Sequence, residues 1–275
     1  MLQRLKLPAN IDGMAWRYAN PAGANRRHRH AELELNLVTR GTGTYLLGNR
    51  HYQIRRGDLL WLFPAQEHVL IEQTPDFQMW IVVFRRRLIK RSATDSASLP
   101  LQQRSFAGDT CRRLRQQDLS RFEELFAQLT NTANEPGLLN ASLAYVLLHA
   151  WKCFDRASEV PVRNVHPAVE RAARLLLNDE TSYSLPQLAR RAGLSTSRLS
   201  RLFKQQTGLS IVEFRNRQRM QRFLDRYERE RDSGRQSTLL NAALDAGFGS
   251  YPQFHRVFRQ VAGCSPAEYQ RRRSN

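Results

Sequence analysis

The chain has 275 residues and a formal net charge of +18 at pH 7, which favours a polyanionic partner such as nucleic acid or an anionic membrane surface. Its three cysteines form no CxxC pair, which excludes a disulfide framework and a zinc knuckle and is typical of a reducing compartment. No apolar stretch reaches the ~18 residues of a membrane span and the N-terminus lacks the apolar segment of a signal peptide, so we expect a cytoplasmic protein without membrane contact.

Residues 32–85 are expected to form short β-strands. The apolar segments are ELELNLVTR, TYLLG, HYQIR, DLLWLF, HVLIEQ and FQMWIVVFR, with turn residues Gly41, Gly43, Gly48, Asn49, Gly57 and Asp58 between them. Several short strands at this close spacing predict an all-β barrel or sandwich. Residues 86–117 mix basic runs with a Ser/Thr-rich patch and Pro100, and we expect them to be irregular.

Two helices are predicted next, over 119–132 and 138–156, because apolar residues recur there at helical spacing. The recurring residues are Phe122, Leu125, Phe126 and Leu129, then Leu143, Val146, Leu147, Ala150, Trp151 and Phe154. Such a stripe usually faces a core. This one is broad enough for the part from Leu143 to Phe154 to form a seam between two copies of the chain. A polar linker with Pro161 and Pro167 is expected to follow.

An internal repeat is the most informative feature of the sequence. Before a glycine-containing turn, Leu185, Leu188 and Ala189 recur at a constant offset as Leu239, Ala242 and Ala243. After the turn the offset is a single residue longer, relating Leu199, Arg201, Leu202, Phe203, Lys204, Gly208 and Ser210 to Phe254, Arg256, Val257, Phe258, Arg259, Gly263 and Ser265. A one-residue insertion in the second turn accounts for the change. Each unit thus has the helix-turn-helix pattern.

Apolar anchors decide which polar residues of each second helix face solvent. In the first unit the outward residues are Ser197, Ser200, Arg201 and Lys204. In the second unit they are Gln253, His255, Arg256 and Arg259. Arginine can pair with guanine, glutamine with adenine, and lysine or arginine can neutralise phosphates. The alternative is two packed α-hairpins with solvated faces, but an arginine at the same outward position of both units argues against it.

Residues 212–230 are predicted to form a long basic helix that would hold the two units about one DNA turn, ~34 Å, apart. The run LPQLARRAGLSTSRLSRLFKQQTGLSIVEF and the later AGF…F…VFRQVAGCSPAEY resemble the paired helix-turn-helix signature of the AraC/XylS family of transcription regulators, over about 169–271. The resemblance implies base contacts by Ser197, Ser200, Arg201, Tyr251, Gln253 and Arg256. The sequence departs from the family pattern at Pro252, which is tolerated in a first helical turn, and at Phe223, where a small residue is usual.

Four residues of the N-terminal region form a candidate ligand set. His28, His30 and Glu34 lie at even spacings, so a continuous strand would place them on one face, with His68 in a second strand. Three imidazoles and one carboxylate suit a divalent metal such as Fe(II), Mn(II), Ni(II), Cu(II) or Zn(II). The pattern also resembles the two motifs of the cupin fold, the usual sensor of this family. The alternative is a pocket for an organic effector, and the sequence leaves both open.

Together these features predict an α+β two-domain protein. A cupin-like effector-sensing β-barrel is expected over 1–115, a helical dimerisation or connecting region over 116–160, and an all-α domain with two helix-turn-helix units joined by a linker helix over 166–275. The predicted function is an effector-controlled, sequence-specific transcription regulator without enzymatic activity, located on the nucleoid. Expected partners are a double-stranded DNA operator, a small-molecule effector and a second copy of the chain, with RNA polymerase as a further candidate. The rivals are a cupin-type metal enzyme with a DNA-binding tail and an architectural DNA-binding protein.

Overall fold

The computed structural model describes residues 7–19, 31–47, 50–64, 66, 68–177, 183–232 and 238–274. The chain divides into two compact units, one built mainly from residues up to and including Asn164 and the other mainly from Val165 onward. Among the described residues, no helix is long and apolar enough to cross a membrane.

The N-terminal unit combines β-strands with helices. Its strands are β1 (Gly13–Tyr18), β2 (Leu33–Arg40), β3 (Thr42–Leu47), β4 (Arg50–Arg55), β5 (Asp58–Leu62), β6 (His68–Gln73), β7 (Gln78–Phe84), β8 (Cys111–Arg113), β9 (Ser158–Glu159) and β10 (Val162–Asn164). Its helices are α1 (Arg86–Ser92), α2 (Gln116–Asn131) and α3 (Pro136–Asp155), with a 3-10 turn at Leu99–Gln102.

Within the described ranges the strands form two sheets, one of order β1-β7-β2-β5-β8-β9 and one of order β10-β4-β3-β6. Strand β2 lies inside the larger sheet, where Leu35 is opposite Val82 of β7 and Trp61 of β5. Side chains alternate across a strand, so the leucines of β2 face one side, towards the helices, and Glu34 and Asn36 face the other. This architecture confirms the predicted cupin-like β-domain.

Helices α2 and α3 cover the leucine-bearing face of the larger sheet. The ring centroids of Trp61 and Trp151 lie 5.8 Å apart, and those of Trp80 and Phe126 lie 6.2 Å apart. As a result, the six residues that recur at helical spacing in the predicted seam are at most 7% exposed: Leu143, Val146, Leu147, Ala150, Trp151 and Phe154. These six side chains belong to the core of a single chain, and a contribution of this segment to a homodimer stays a prediction.

Residues 86–117 are more regular than the sequence predicts. Helix α1 buries Leu88 and Ile89, and β8 pairs with β5. Both elements are too short to produce a periodic apolar pattern, which is why they escape a pattern-based prediction. The predicted linker likewise contains β9 and β10, which pair with β8 and β4 and so extend both sheets.

The C-terminal unit, in the part of it that the structure describes, is entirely helical. Its helices are α4 (Pro167–Leu177), α5 (Leu185–Ala192), α6 (Thr196–Thr207), α7 (Ile211–Asp232), α8 (Leu239–Asp245), α9 (Tyr251–Ala262) and α10 (Pro266–Ser274). The pairs α5–α6 and α8–α9 are the two helix-turn-helix units, and α7 is the helix between them. The predicted all-α domain with a linker helix is confirmed.

The two units repeat one capping scheme. Gly193 and Gly247 follow α5 and α8 with φ angles of 79° and 92°, a backbone conformation that favours glycine. The hydroxyls of Ser195 and Ser250 then accept backbone hydrogen bonds at the starts of α6 and α9, as good N-caps do. The offset between the two serines is a single residue longer than the offset between the two glycines. The predicted one-residue insertion is therefore confirmed, and the extra residue is Gly249.

Candidate nucleic-acid interface and effector site

Helix α6 of the first unit has an apolar face and a polar face. Leu199 and Phe203 are buried and Leu202 is half-buried, which anchors the helix as predicted. The predicted contact residues are the exposed Ser197, Arg201 and Lys204 and the half-buried Ser200. These four lie at i, i+3, i+4 and i+7, so they form one stripe along the helix.

Helix α9 of the second unit repeats this division. Phe254, Val257 and Phe258 are at most 3% exposed. The predicted contact residues are the exposed Arg256 and Arg259 and the half-buried Tyr251, Gln253 and His255. The ring of Tyr251 lies 5.7 Å from that of Phe254, so this tyrosine also contributes to packing. Pro252 stands in the first turn of α9, where proline is tolerated.

The positive charges of the two stripes form no ion pairs within the described part of the chain. Their cations are Arg201, Lys204, Arg256 and Arg259. Two other arginines of the unit do have acidic partners, Arg174 with Glu170 at 2.7 Å and Arg226 with Asp245 at 2.9 Å. None of the four stripe cations has an ion-pair partner among the residues that the structure describes. They are therefore available to a polyanion without first losing an internal contact.

Helix α7 packs against both units at different points along its length. Near its start, the ring of Phe214 meets that of Phe203 edge-on at 5.4 Å. Nine residues later, about two and a half turns, the ring of Phe223 lies 4.6 Å from Phe254 and 5.9 Å from Phe258. Phe223, which departs from the family pattern, thus fills the core of the second unit. The helix joins the two units through buried aromatic contacts.

Gln253 has a role that the sequence patterns did not reveal. Its Oε1 accepts a hydrogen bond from the backbone N–H of Gly249 at 3.0 Å, and its own backbone N–H donates to Ser250 Oγ at 3.3 Å. The equivalent residue of the first unit is Arg198, whose guanidinium has no acceptor atom. A sequence signal does exist for this cap, since a serine followed three residues later by a glutamine is a capping-box pattern.

Strands β2, β3 and β6 place polar side chains in the interior of the N-terminal unit. Asn36 Nδ2 donates to the hydroxyl of Tyr45 at 3.1 Å, and the ring of His68 lies 6.3 Å from that of Tyr45. Glu34 shares the face of β2 that carries Asn36, and all four residues are buried. Burial, and then the charge of Glu34, raise the pKa of Tyr45 well above its usual value. Tyr45 therefore keeps its proton and can donate a hydrogen bond.

Two fully buried polar atoms of this interior have no hydrogen-bond partner among the described residues. They are Asn36 Oδ1 and the hydroxyl of Tyr52. Tyr52 is opposite Tyr45 on the neighbouring strand, so the two hydroxyls lie on the same face of the smaller sheet. Because buried polar groups are nearly always hydrogen-bonded, this interior suits an occupant that offers polar groups of its own.

The predicted metal ligands lie only partly within the described structure. His28 and His30 fall outside the described residues. Glu34 and His68 are both buried in the N-terminal unit. In the described ranges there is no group of three or more histidine, cysteine, aspartate or glutamate side chains that could hold a metal ion. The four-residue metal site stays a prediction.

Two family models match the chain. The one described as an AraC-like ligand binding domain matches residues 8–148, and the one described as a helix-turn-helix domain matches residues 188–272. The arabinose operon regulatory protein of Escherichia coli K12 is 28% identical over 244 residues, covering 86% of this chain and 79% of that protein. The HTH-type transcriptional activator RhaR of Escherichia coli K12 is 22% identical over 258 residues, covering 90% and 88%.

Among solved structures, ToxT from Vibrio cholerae O395 aligns over 95% of this chain and 97% of its own, with a TM-score of 0.41 and 13% identity. A likeness at this level implies neither a common ligand nor a common mode of control. The family models carry the assignment, since the ligand-binding model covers more than half of the 275 residues. The chain therefore belongs to the AraC family of transcription regulators, with an N-terminal ligand-binding domain and a C-terminal helix-turn-helix domain that binds DNA.

Proposed function

We propose that this regulator places α6 and α9 in two successive major-groove segments of its operator, under the control of a small polar effector bound in the N-terminal unit. The observation that carries the proposal is a repeated pair of exposed cations. Arg201 and Lys204 on α6 recur as Arg256 and Arg259 on α9. Guanine offers two acceptors to an arginine in the major groove, and phosphates attract all four cations.

Helix α7 supports contact with two groove segments by one chain, because the same helix packs on both units. Phe214 packs on the first unit and Phe223 on the second, so α7 already holds the two units in a fixed arrangement before DNA binds. Less conformational entropy is then lost on binding.

The outward residues take different roles in this proposal. Arg201 and Arg256 contact bases, and Lys204 and Arg259 contact phosphates because they lie one turn further along each helix. The remaining members of the surface are Ser197, Ser200, Tyr251, Gln253 and His255. Base contacts set the preferred sequence, whereas phosphate contacts act through the release of counterions and strengthen binding to every sequence.

Affinity measurements on a base-substituted operator library over a salt series test these roles. Arg201→Ala and Arg256→Ala should each cost ~1–3 kcal/mol and relax the preference mainly at one base pair. Lys204→Ala and Arg259→Ala should weaken binding to all sequences and reduce the salt slope by about one unit. Arg174→Ala is the matched control, because this arginine lies on α4 and pairs with an acidic residue.

The opposite pattern would overturn the assignment. If Arg201→Ala and Arg256→Ala lowered affinity evenly for every sequence, these arginines would be phosphate contacts. If the wild-type protein bound every library member equally, the chain would not recognise sequence at all, and the proposed function itself would fail.

We further propose an organic effector, and not a metal ion, as the occupant of the N-terminal interior. The support is the two unsatisfied buried atoms, Asn36 Oδ1 and Tyr52 OH, because each can form a hydrogen bond with a polar group of an organic molecule. Elemental analysis of protein purified without an affinity tag checks this. We expect less than one equivalent of bound metal, in an amount that His68→Ala leaves unchanged. One equivalent of bound metal that disappears in His68→Ala would contradict the proposal.

No catalytic reaction is assigned to the interior, because the relatives are named as regulators.

A homodimer is the proposed form of the protein, although the stripe first predicted to form it is buried. The opposite face of α3 carries Leu138 and Tyr145, which are 50% and 51% exposed. They are seven residues apart, so they lie on the same side of the helix. A second copy of α3 would cover both side chains. RNA polymerase stays a predicted partner.

A further inference from the structure

Gly249 adds a backbone N–H group that the first unit does not have to accommodate. In the first turn, the N–H of Leu194 donates to the carbonyl of Ala189, and Ser195 follows directly as the N-cap of α6. In the second turn, the N–H of Phe248 makes the equivalent bond to Ala243. Gly249 then stands between this bond and the N-cap, so its N–H needs another acceptor.

Gln253 supplies that acceptor and is fixed by doing so. Its Oε1 lies 3.0 Å from the nitrogen of Gly249, while Nε2 has no partner in the described part of the chain. A free glutamine on a helix surface loses rotamer entropy when it is ordered, which weakens binding. Here part of that cost is met before DNA binds. The side chain is held with its acceptor towards the protein and its donors remaining for a ligand.

We infer that Gln253 determines specificity in the second half-site as a hydrogen-bond donor, and that it selects guanine. Guanine presents two acceptors, O6 and N7, in the major groove, whereas adenine presents N7 beside the N6 amino donor. The familiar two-bond pairing of glutamine with adenine needs both amide atoms, and Oε1 is already bonded to Gly249. This inference rests on the proposed function, and it changes the base expected for Gln253 from adenine to guanine.

Two substitutions separate the cap from the base contact. Gln253→Glu keeps an oxygen that can accept from the N–H of Gly249, and a carboxylate at a helix N-terminus is favourable, but the donors are lost. Gln253→Met removes both functions at similar length. Gln260→Glu is the charge control, because Gln260 is exposed on α9 and lies two turns further along the same side, away from the cap.

The experiment measures the affinities of the wild type and the three variants for an operator library with all four base pairs at each position, together with their thermal midpoints. For the wild type we expect guanine to be preferred roughly fivefold or more at one position of the second half-site. Gln253→Glu should move this preference away from guanine to the bases with a major-groove amino donor, cytosine (N4) and adenine (N6), with the thermal midpoint retained. Gln253→Met should lose the preference and lower the midpoint by a few degrees.

Gln260→Glu should lower affinity for every sequence and leave the guanine preference intact. Adenine as the base that the wild type prefers at the position that responds to Gln253 would overturn the inference, and so would variants that change affinity without changing preference at any position. In both outcomes the remaining positions would still discriminate, so the proposed function would stand. A wild-type protein without any sequence preference would instead refute the proposed function.

Discussion

Truncation of Phe223 tests whether α7 holds the second helix-turn-helix unit together. The side chain is 1% exposed and lies 4.6 Å from Phe254, 5.9 Å from Phe258 and 5.7 Å from Tyr227, measured between ring centroids. Phe223→Ala removes one ring from this cluster and leaves a cavity among three others. Phe214→Ala is the matched change in the first unit, because Phe214 is also 1% exposed and packs on Phe203.

The expected destabilisation is large compared with the stability of a domain. Replacing a buried phenylalanine by alanine costs ~3–5 kcal/mol, the sum of lost burial and of the cavity that remains. The whole stability of a domain is about 5–15 kcal/mol. Phe223→Ala should therefore disorder the second unit preferentially, whereas Phe214→Ala should disorder the first.

Urea unfolding followed by circular dichroism, combined with footprinting on the operator, measures both effects. We expect Phe223→Ala to lose protection of one half-site and Phe214→Ala to lose protection of the other. Loss of both half-sites to the same extent in each variant would refute the division of α7 between two cores. A cost below ~1 kcal/mol would show that the site collapses around the cavity.

Two further predictions concern the N-terminal unit. Burial raises the pKa of Asp12, but hydrogen bonds from Arg87 and Arg91 outweigh burial and lower it below its usual value. The ionised Asp12 therefore stabilises the fold above the unfolded pKa of ~3.9, and this stabilisation is lost as the pH falls through the lowered pKa. The urea midpoint of the wild type should decrease between about pH 5 and pH 3, and Asp12→Asn should make this decrease smaller. A decrease of the same size in Asp12→Asn would contradict the prediction. Tyr145→Asp on the exposed face of α3 should convert a wild-type dimer into a monomer in sedimentation equilibrium. A wild-type protein that sediments as a monomer with and without DNA would refute the dimer.

The repeat was predictable because its determinants are local. Glycine and serine caps recur at fixed distances from the apolar anchors, and each acts through backbone groups a few residues away. Even the lengthening of the offset by a single residue was sufficient to predict an insertion, which the structure places at Gly249. The strands of the N-terminal unit were predictable for the same reason, since alternation along β2 follows directly from strand geometry.

The elements that were missed depend on distant parts of the chain. Helix α1 has only Leu88 and Ile89 as buried residues, too few to indicate a helix without knowing what they pack against. The stripe on α3 was correctly assigned to a helix, but its partner could have been a second copy or the chain's own sheet, and only tertiary packing distinguishes these. The unsatisfied hydroxyl of Tyr52 likewise depends on which side chains a neighbouring sheet brings close to it.

The inserted glycine makes two similar units chemically unequal. In the first unit, the position equivalent to Gln253 is Arg198, an exposed cation, and binding there depends on charges that counterions screen. In the second unit, an uncharged amide is held in one orientation by Gly249, and an oriented hydrogen-bond donor discriminates between bases with little dependence on salt. Because Arg198 adds one cation to the first unit, raising the salt concentration should weaken the first half-site more than the second.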